Sequence, residues 1–281
     1  MPQALTHYYF AKDLLKTLEE KYLEQANITD PKLFLYSNFY DLAYYYKPSG
    51  LFAKDSYNLA NKIHKTNASK LIKEAILYTR NNGYDKDNVT MIYAMVSHYI
   101  LDLFFYPYIN YYSSNNNKSI QQLQKEIDYH FSKEIENIEL GKTNLVKRFQ
   151  GAYLLNFEDH ALIEHIIKKT CYVSRTYEYY NKSLKEFKKQ INPKYKIHKL
   201  FHSKTKDLIY DKKYDYNEDI LNKNNTLWFN SRIGTDTTIS LLGLYNEALQ
   251  EGKKYLSAAL NYLYLNNSKE FDKLFVYKNI N

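Results

Sequence analysis

The sequence predicts an all-α fold in a single multi-helix domain, on three observations. Apolar residues recur mostly at three- and four-residue spacing, only 7 Gly and 5 Pro interrupt the chain, and no segment alternates convincingly with a period of two. With 281 residues and 44% hydrophobic content, the chain can bury a sizeable core.

In order along the chain, residues 5 to about 25 read as a first helix, with Leu14, Leu15, Leu18, Tyr22 and Leu23 as its apolar stripe. Asp30-Pro31 opens a short second helix, because proline in the first turn costs no hydrogen bond. A tyrosine-rich loop is expected over 38–50, then a third helix from Ser56 past His64. A fourth runs from Ser69 to Asn82-Gly83, where glycine suits a left-handed cap. Asp85 or Asp87 opens the next, which continues through Val89, Ile92, Met95, Val96 and Tyr99 to about Pro107.

After a polar loop at 111–118, Ser119 and Gln122 have capping-box spacing for a helix reaching about Leu140. A long helix is expected over 158–191, stopped by Pro193, and 195–225 reads as an irregular excursion or lid. Asp236 is expected to cap a closing helix through Leu241, Leu244, Tyr245, Ala248 and Leu256. The domain thus divides into a helical core at 1–192, the excursion at 193–233 and closing helices at 234–281.

A net charge of +8, from 39 basic and 31 acidic residues, fits an anionic partner such as phospholipid, nucleotide or nucleic acid. Heavy use of Lys, Asn, Ile and Tyr is equally what AT-rich codons produce. The single cysteine, Cys171, precludes an internal disulfide, fits a reducing compartment and excludes a cysteine-based zinc site. Charges interrupt every apolar run of the first 25 residues, so no signal-peptide core is present. The longest apolar stretch, 99–109, contains Asp102 and Pro107 and is too short to span a bilayer. The expectation is a cytoplasmic protein without a transmembrane segment.

His98 and Asp102, four residues apart on one helix, share a face one turn apart. Imidazole and carboxylate are the ligands zinc takes where thiols are absent; the same pair also fits a hydrogen bond internal to the helix. Around it the chain carries Thr6-His7-Tyr8, Phe39-Tyr40-Asp41, Asn61-Lys62-Ile63-His64, Ser97-His98-Tyr99-Ile100-Leu101-Asp102 and Pro107-Tyr108-Ile109. In order and spacing, residues 6–128 resemble the bacterial zinc-dependent phospholipase C family, with a weaker echo at Leu244-Tyr245-Asn246-Glu247-Ala248.

The resemblance implies a domain of the phospholipase C and single-strand nuclease type. It implies hydrolysis of a phosphodiester by a water activated between two zinc ions. Asp102 would bridge them; His98, His64 and Asp41 would complete one metal and His7 would bind the other. Asp41 would serve as ligand or general base. Met followed by Pro invites removal of Met1, which would leave the Pro2 amine as a further ligand beside His7. The family's third zinc has no counterpart ligands, since the corresponding positions are Tyr106, Ile120 and Gln124. One or two zinc ions are therefore expected.

The segment preceding Asp41 also departs from the family, which has Gly-Pro where this chain has Phe39-Tyr40. Glu126, Asp128, His130, Asp159, His160, Glu164 and His165 read as solvated faces before substitutes for the lost ligands, although Asp128, one turn beyond Gln124, could face the site; His130, His160, His165, His198 and His202 match no family ligand. The implied partner is a phosphodiester, a phospholipid headgroup before nucleic acid, with peripheral membrane contact; a nuclease-type phosphodiesterase is the second reading and a fold kept without catalysis the third.

Overall fold

The first described turn is already buried, and its backbone donors are met by a residue more than a hundred positions away. The computed structural model describes residues 4–45, 53–140, 142–174, 176–191 and 218–276. Pro2, His198, His202 and most of the expected excursion lie outside them. Helix α1 (Ala4–Leu15) buries ten of its twelve residues. A buried helix start leaves N–H groups that need partners. Asp128 supplies them: its carboxylate accepts from the N–H groups of Leu5 (3.1 Å) and Thr6 (2.9 Å) and from the Thr6 hydroxyl (2.6 Å).

Helix α1 stops at Leu15 instead of continuing to 25; the Thr17 hydroxyl turns back onto the Leu14 carbonyl, and a separate turn, α2 (Glu20–Leu23), follows with no buried residue. Helix α3 (Asp30–Ser37) carries Pro31 in its first turn. The expected loop from 38 is instead α4 (Phe39–Leu42) and a 3-10 turn at Ala43–Tyr45. Phe39, Tyr40, Leu42 and Tyr45 are all buried, so tyrosine-rich composition marks core here.

Helix α5 (Ala53–Lys65) and α6 (Ala68–Asn81) follow, the latter capped by the Asn67 side chain and ended before Gly83 at φ +100°. Asp85 caps α7 (Lys86–Asn115), its carboxylate accepting from the N–H groups of Asp87 and Asn88. This helix runs on through Pro107, where an end was expected. Phe104, Phe105, Tyr108 and Ile109 are buried on both sides of the proline, and their packing holds the helix across the lost hydrogen bond. Helices α1, α3 and α6, with α8 (Ile120–Glu136) and α12 (Leu241–Leu265), all pack on α7. It is long and apolar enough to cross a membrane, but 89% of its most apolar window is buried inside the fold, as in a core helix.

The Ser119 hydroxyl caps α8 by accepting from Gln122 N–H, and Asn137, left-handed at φ 54°, ends it before 140. A short α9 (Leu145–Arg148) precedes the segment expected as one helix over 158–191, which is two. Asn156 and Asp159 form the capping box of α10 (Phe157–Cys171), Tyr172 turns left-handed, and Glu164 captures the N–H and hydroxyl of Thr176 to start α11 (Thr176–Gln190).

A strand pair was not expected, yet β1 (Trp228–Asn230) and β2 (Thr235–Thr237) form an antiparallel hairpin with Gly234 at φ +73°. Three-residue strands are too short to show alternation; Trp228 holds the hairpin, donating Nε1–H to the Ile239 carbonyl and packing edge-on to Tyr108. Asp236 sits in β2 opposite Phe229, so the cap of α12 is Ser240. Helix α13 (Lys269–Leu274) closes the described chain.

The charged stretches around 126 and 159 are not solvated. Glu126, Asp128 and Asp159 are buried. Glu126 receives Lys118 and Gln122, and Asp159 receives Lys32, Tyr36 and the Asn156 N–H. Glu164 and His130, His160 and His165 are half-buried.

Asp128→Ala leaves the buried start of α1 without its acceptor, an expected loss of about 2–4 kcal/mol in urea unfolding. The same variant is expected to weaken metal binding, because His7 follows directly on the clamped residues.

Candidate metal centre

Four elements bring ligand-type side chains into one connected cluster. Asn38 ties the α3–α4 junction to α1, its amide donating to the carbonyls of Ala4 (3.2 Å) and Phe34 (2.7 Å), while Asp41 N–H reaches the Asn38 carbonyl (3.0 Å). This sets Asp41 in α4 opposite His64 of α5, and His7 of α1 opposite the His98–Asp102 pair of α7. His7, Asp41, His98 and Asp102 are no more than 5% exposed.

The side chains form an alternating chain. His64 Nε2 lies 3.0 Å from Asp41 Oδ1, and His98 Nε2 lies 3.6 Å from Asp41 Oδ2 and 3.0 Å from Asp102 Oδ2. His7 Nε2 lies 3.3 Å from Asp102 Oδ1. The His7 and His98 rings stack at 3.7 Å, 4° from parallel. Ligand atoms of His7, His98 and Asp102 all fall within 4.8 Å of one another, so these three residues form a buried cluster able to hold a metal ion.

His98 Nδ1–H donates to the Ser37 carbonyl at 2.7 Å, which fixes the ring and directs Nε2 into the cluster. Close as they are to carboxylates, Nε2 of His98 and of His64 make no aligned hydrogen bond among the described residues. Buried nitrogens converging on carboxylates without donor alignment suit a cation between them.

Burial, the largest influence, works against the charge on His98, but Asp102, Asp41 and the Ser37 carbonyl outweigh it and raise its pKa to about 9. Burial and the neighbouring His98 lower His7. For Asp102, burial is outweighed by His98 and His7, which bring the carboxyl down to about 2; Asp41 is likewise pulled well below the carboxylate range by His64 and His98. Beside the cluster lies a cavity of about 10 Å³, lined by Tyr40, His64, His98 and Asp102, among others, with room for one water-sized group.

Of the five side chains that the sequence singled out as ligands, His7, His98 and Asp102 converge, Asp41 joins them through His98 despite the missing Gly-Pro, and His64 joins through Asp41. Of the positions read as a lost third metal site, Tyr106 lies one turn beyond Asp102 and beside Gln124, which is buried with Oε1 unpartnered among the described residues; Ile120 is half-buried against the core. His165 pairs with Glu74 at 3.2 Å and His160 packs on Tyr177 at 3.9 Å. Sequence reasoning missed Ser37, which acts through its backbone and leaves no side-chain signal. It missed Tyr40 as well, although that residue directly precedes Asp41.

No family model matches the chain, and neither a curated protein nor a solved structure matches it.

The shifts predict opposite pH dependences without and with metal. In the metal-free protein the raised His98 stabilises fully below pH 6.5, and that contribution, on the order of 3 kcal/mol, is lost as pH climbs through 9. His7, being lowered, destabilises as pH drops below 6.5, and Asp102 adds a loss as pH falls through 2. Urea midpoints in EDTA should peak near pH 6.5, and His98→Gln should flatten the alkaline limb. Zinc must displace the His98 proton, so its affinity should rise with pH up to about 9, with proton release visible in calorimetry across buffers.

Proposed function

We propose that the protein is a metal-dependent hydrolase of phosphodiesters, phospholipase C-like, with a phospholipid headgroup as the favoured substrate. The observation that supports this reading is the orientation of the two buried carboxylates. Asp102 turns Oδ1 to His7 and Oδ2 to His98, and Asp41 turns Oδ1 to His64 and Oδ2 to His98. A carboxylate shared in this way can bridge two cations. The resemblance would place Asp41, His64, His98 and Asp102 on one zinc and His7 with Asp102 on another, whereas the residues whose ligand atoms converge within 4.8 Å are His7, His98 and Asp102. The order of these residues along the chain is the one that the phospholipase C resemblance implies.

A bound zinc would supply a water of lowered pKa and positive charge for a phosphoryl oxygen. The chain's own residues do the rest. Ser37 holds His98 in the tautomer that leaves Nε2 free, and the buried carboxylates stay ionised beside their histidines. Asp41 would serve as a ligand or as a general base. Where the three-metal enzymes have a third cation, Tyr106 and Gln124 provide neutral polar groups, so less charge opposes the leaving group and turnover is expected to be slow. The net charge of +8 favours an anionic substrate or membrane surface.

A second reading, a metal held as a structural staple, draws on the cavity of about 10 Å³, which accommodates a water and no diester. Metal analysis and hydrolysis separate the two. One or two zinc per chain, lost in Asp102→Ala, with phosphatidylcholine cleavage falling at least 100-fold in that variant, supports the hydrolase. Zinc that raises the melting temperature without cleavage of phosphatidylcholine or single-stranded DNA leaves the staple. Faster cleavage of DNA would move the substrate to nucleic acid, and no zinc at all would overturn both readings.

A further inference from the structure

Tyr40 is 2% exposed, its ring lies 4.9 Å from that of His98, and it lines the same small cavity as His64, His98 and Asp102. Its hydroxyl has no hydrogen-bond partner among the described residues. A buried O–H left unpaired is costly, so a tyrosine held here, where phenylalanine would fill the same space, calls for an acceptor. The cavity that Tyr40 lines, with a volume of about 10 Å³, has room for one water-sized group.

We propose that Tyr40 completes a binding site for a single water-sized acceptor, a water or a monatomic anion such as fluoride, seated in this cavity and held by the Tyr40 hydroxyl on one side and the metal of the His98–Asp102 cluster on the other. The proposal rests on the metal reading above. Tyr40 is thereby a positioning residue: it fixes the direction from which the small ligand meets the cluster, and no other described side chain of the cavity offers an unpartnered hydroxyl. Thr66, the other hydroxyl lining it, is committed to the Lys62 carbonyl at 2.7 Å. His64 and His98 face the same cavity with Nε2 unpartnered, and on the metal reading those nitrogens would be taken by the cation, which leaves the Tyr40 phenol to donate.

The full chain loaded with Co²⁺ provides a visible spectrum for the test. Fluoride should perturb that spectrum saturably in the wild type. Tyr40→Phe should take up the same amount of Co²⁺ yet bind fluoride about tenfold more weakly, the cost of one buried hydrogen bond to a charged acceptor. Should Tyr40→Phe not fold, Tyr40→Met removes the hydroxyl at similar volume. Equal fluoride affinity in variant and wild type overturns the assignment, and so does a rise in melting temperature with fluoride binding unchanged, which marks an idle buried hydroxyl. A Co²⁺ titration that produces no spectrum in the wild type overturns the metal reading itself, and with it this proposal; the two failures are thus told apart by the cobalt band.

Discussion

The grip of Asp128 on the start of α1 is the constraint on which the centre depends. A helix that begins inside the core needs acceptors for its first N–H groups, and water cannot supply them there. One carboxylate from α8 takes two of these N–H groups and the Thr6 hydroxyl, and its charge also suits the positive end of the helix. The next residue is His7. The position of a ligand is thus set by a side chain that touches no ligand, and α1, α7 and α8 are locked together at the level where the cluster forms.

The same economy recurs at the α3–α4 junction. Asn38 binds the Ala4 carbonyl and so ties α4 to α1, while the adjacent Ser37 carbonyl orients His98. Asp41 and His98 therefore depend on one short stretch of chain, and neither can shift without moving the other. Burying two carboxylates and three imidazoles would be unfavourable for each alone. It is tolerated because every charge faces its opposite, and because α7, packed along most of its length, offers a rigid support for His98 and Asp102.

Much of this was legible in the sequence, and the rest was not for definite reasons. Local chemistry read well: Asp85 before α7, Asn82-Gly83 after α6, and the four-residue spacing of His98 and Asp102 all act within one turn of helix. Long-range effects did not. Pro107 lies mid-helix because the core on both sides outweighs its local preference. Tyr172 splits the helix expected over 158–191, with Glu164 starting the second half from twelve residues upstream. Asp128 looked like a solvated charge because its partners, Leu5 and Thr6, are remote in sequence. The hairpin at 228–237 is too short for a period to declare itself.

Whether the centre is a metal cage or a plain network of ion pairs turns on His98. In an ion-pair network an imidazolium would direct both of its N–H groups along acceptor lone pairs. Here only Nδ1 is so aligned, onto Ser37; Nε2 approaches two carboxylates at 3.0 and 3.6 Å without an aligned hydrogen bond to either. Nε2 of His64 repeats the pattern against Asp41. Two independent imidazoles, on α5 and α7, thus bring Nε2 close to carboxylates without the alignment of a hydrogen bond. A cation between nitrogen and carboxylate would satisfy both at once, because a metal asks for convergence on a point while a proton asks for a line. The geometry has that convergence at His7, His98 and Asp102, the arrangement that makes this cluster able to hold a metal ion.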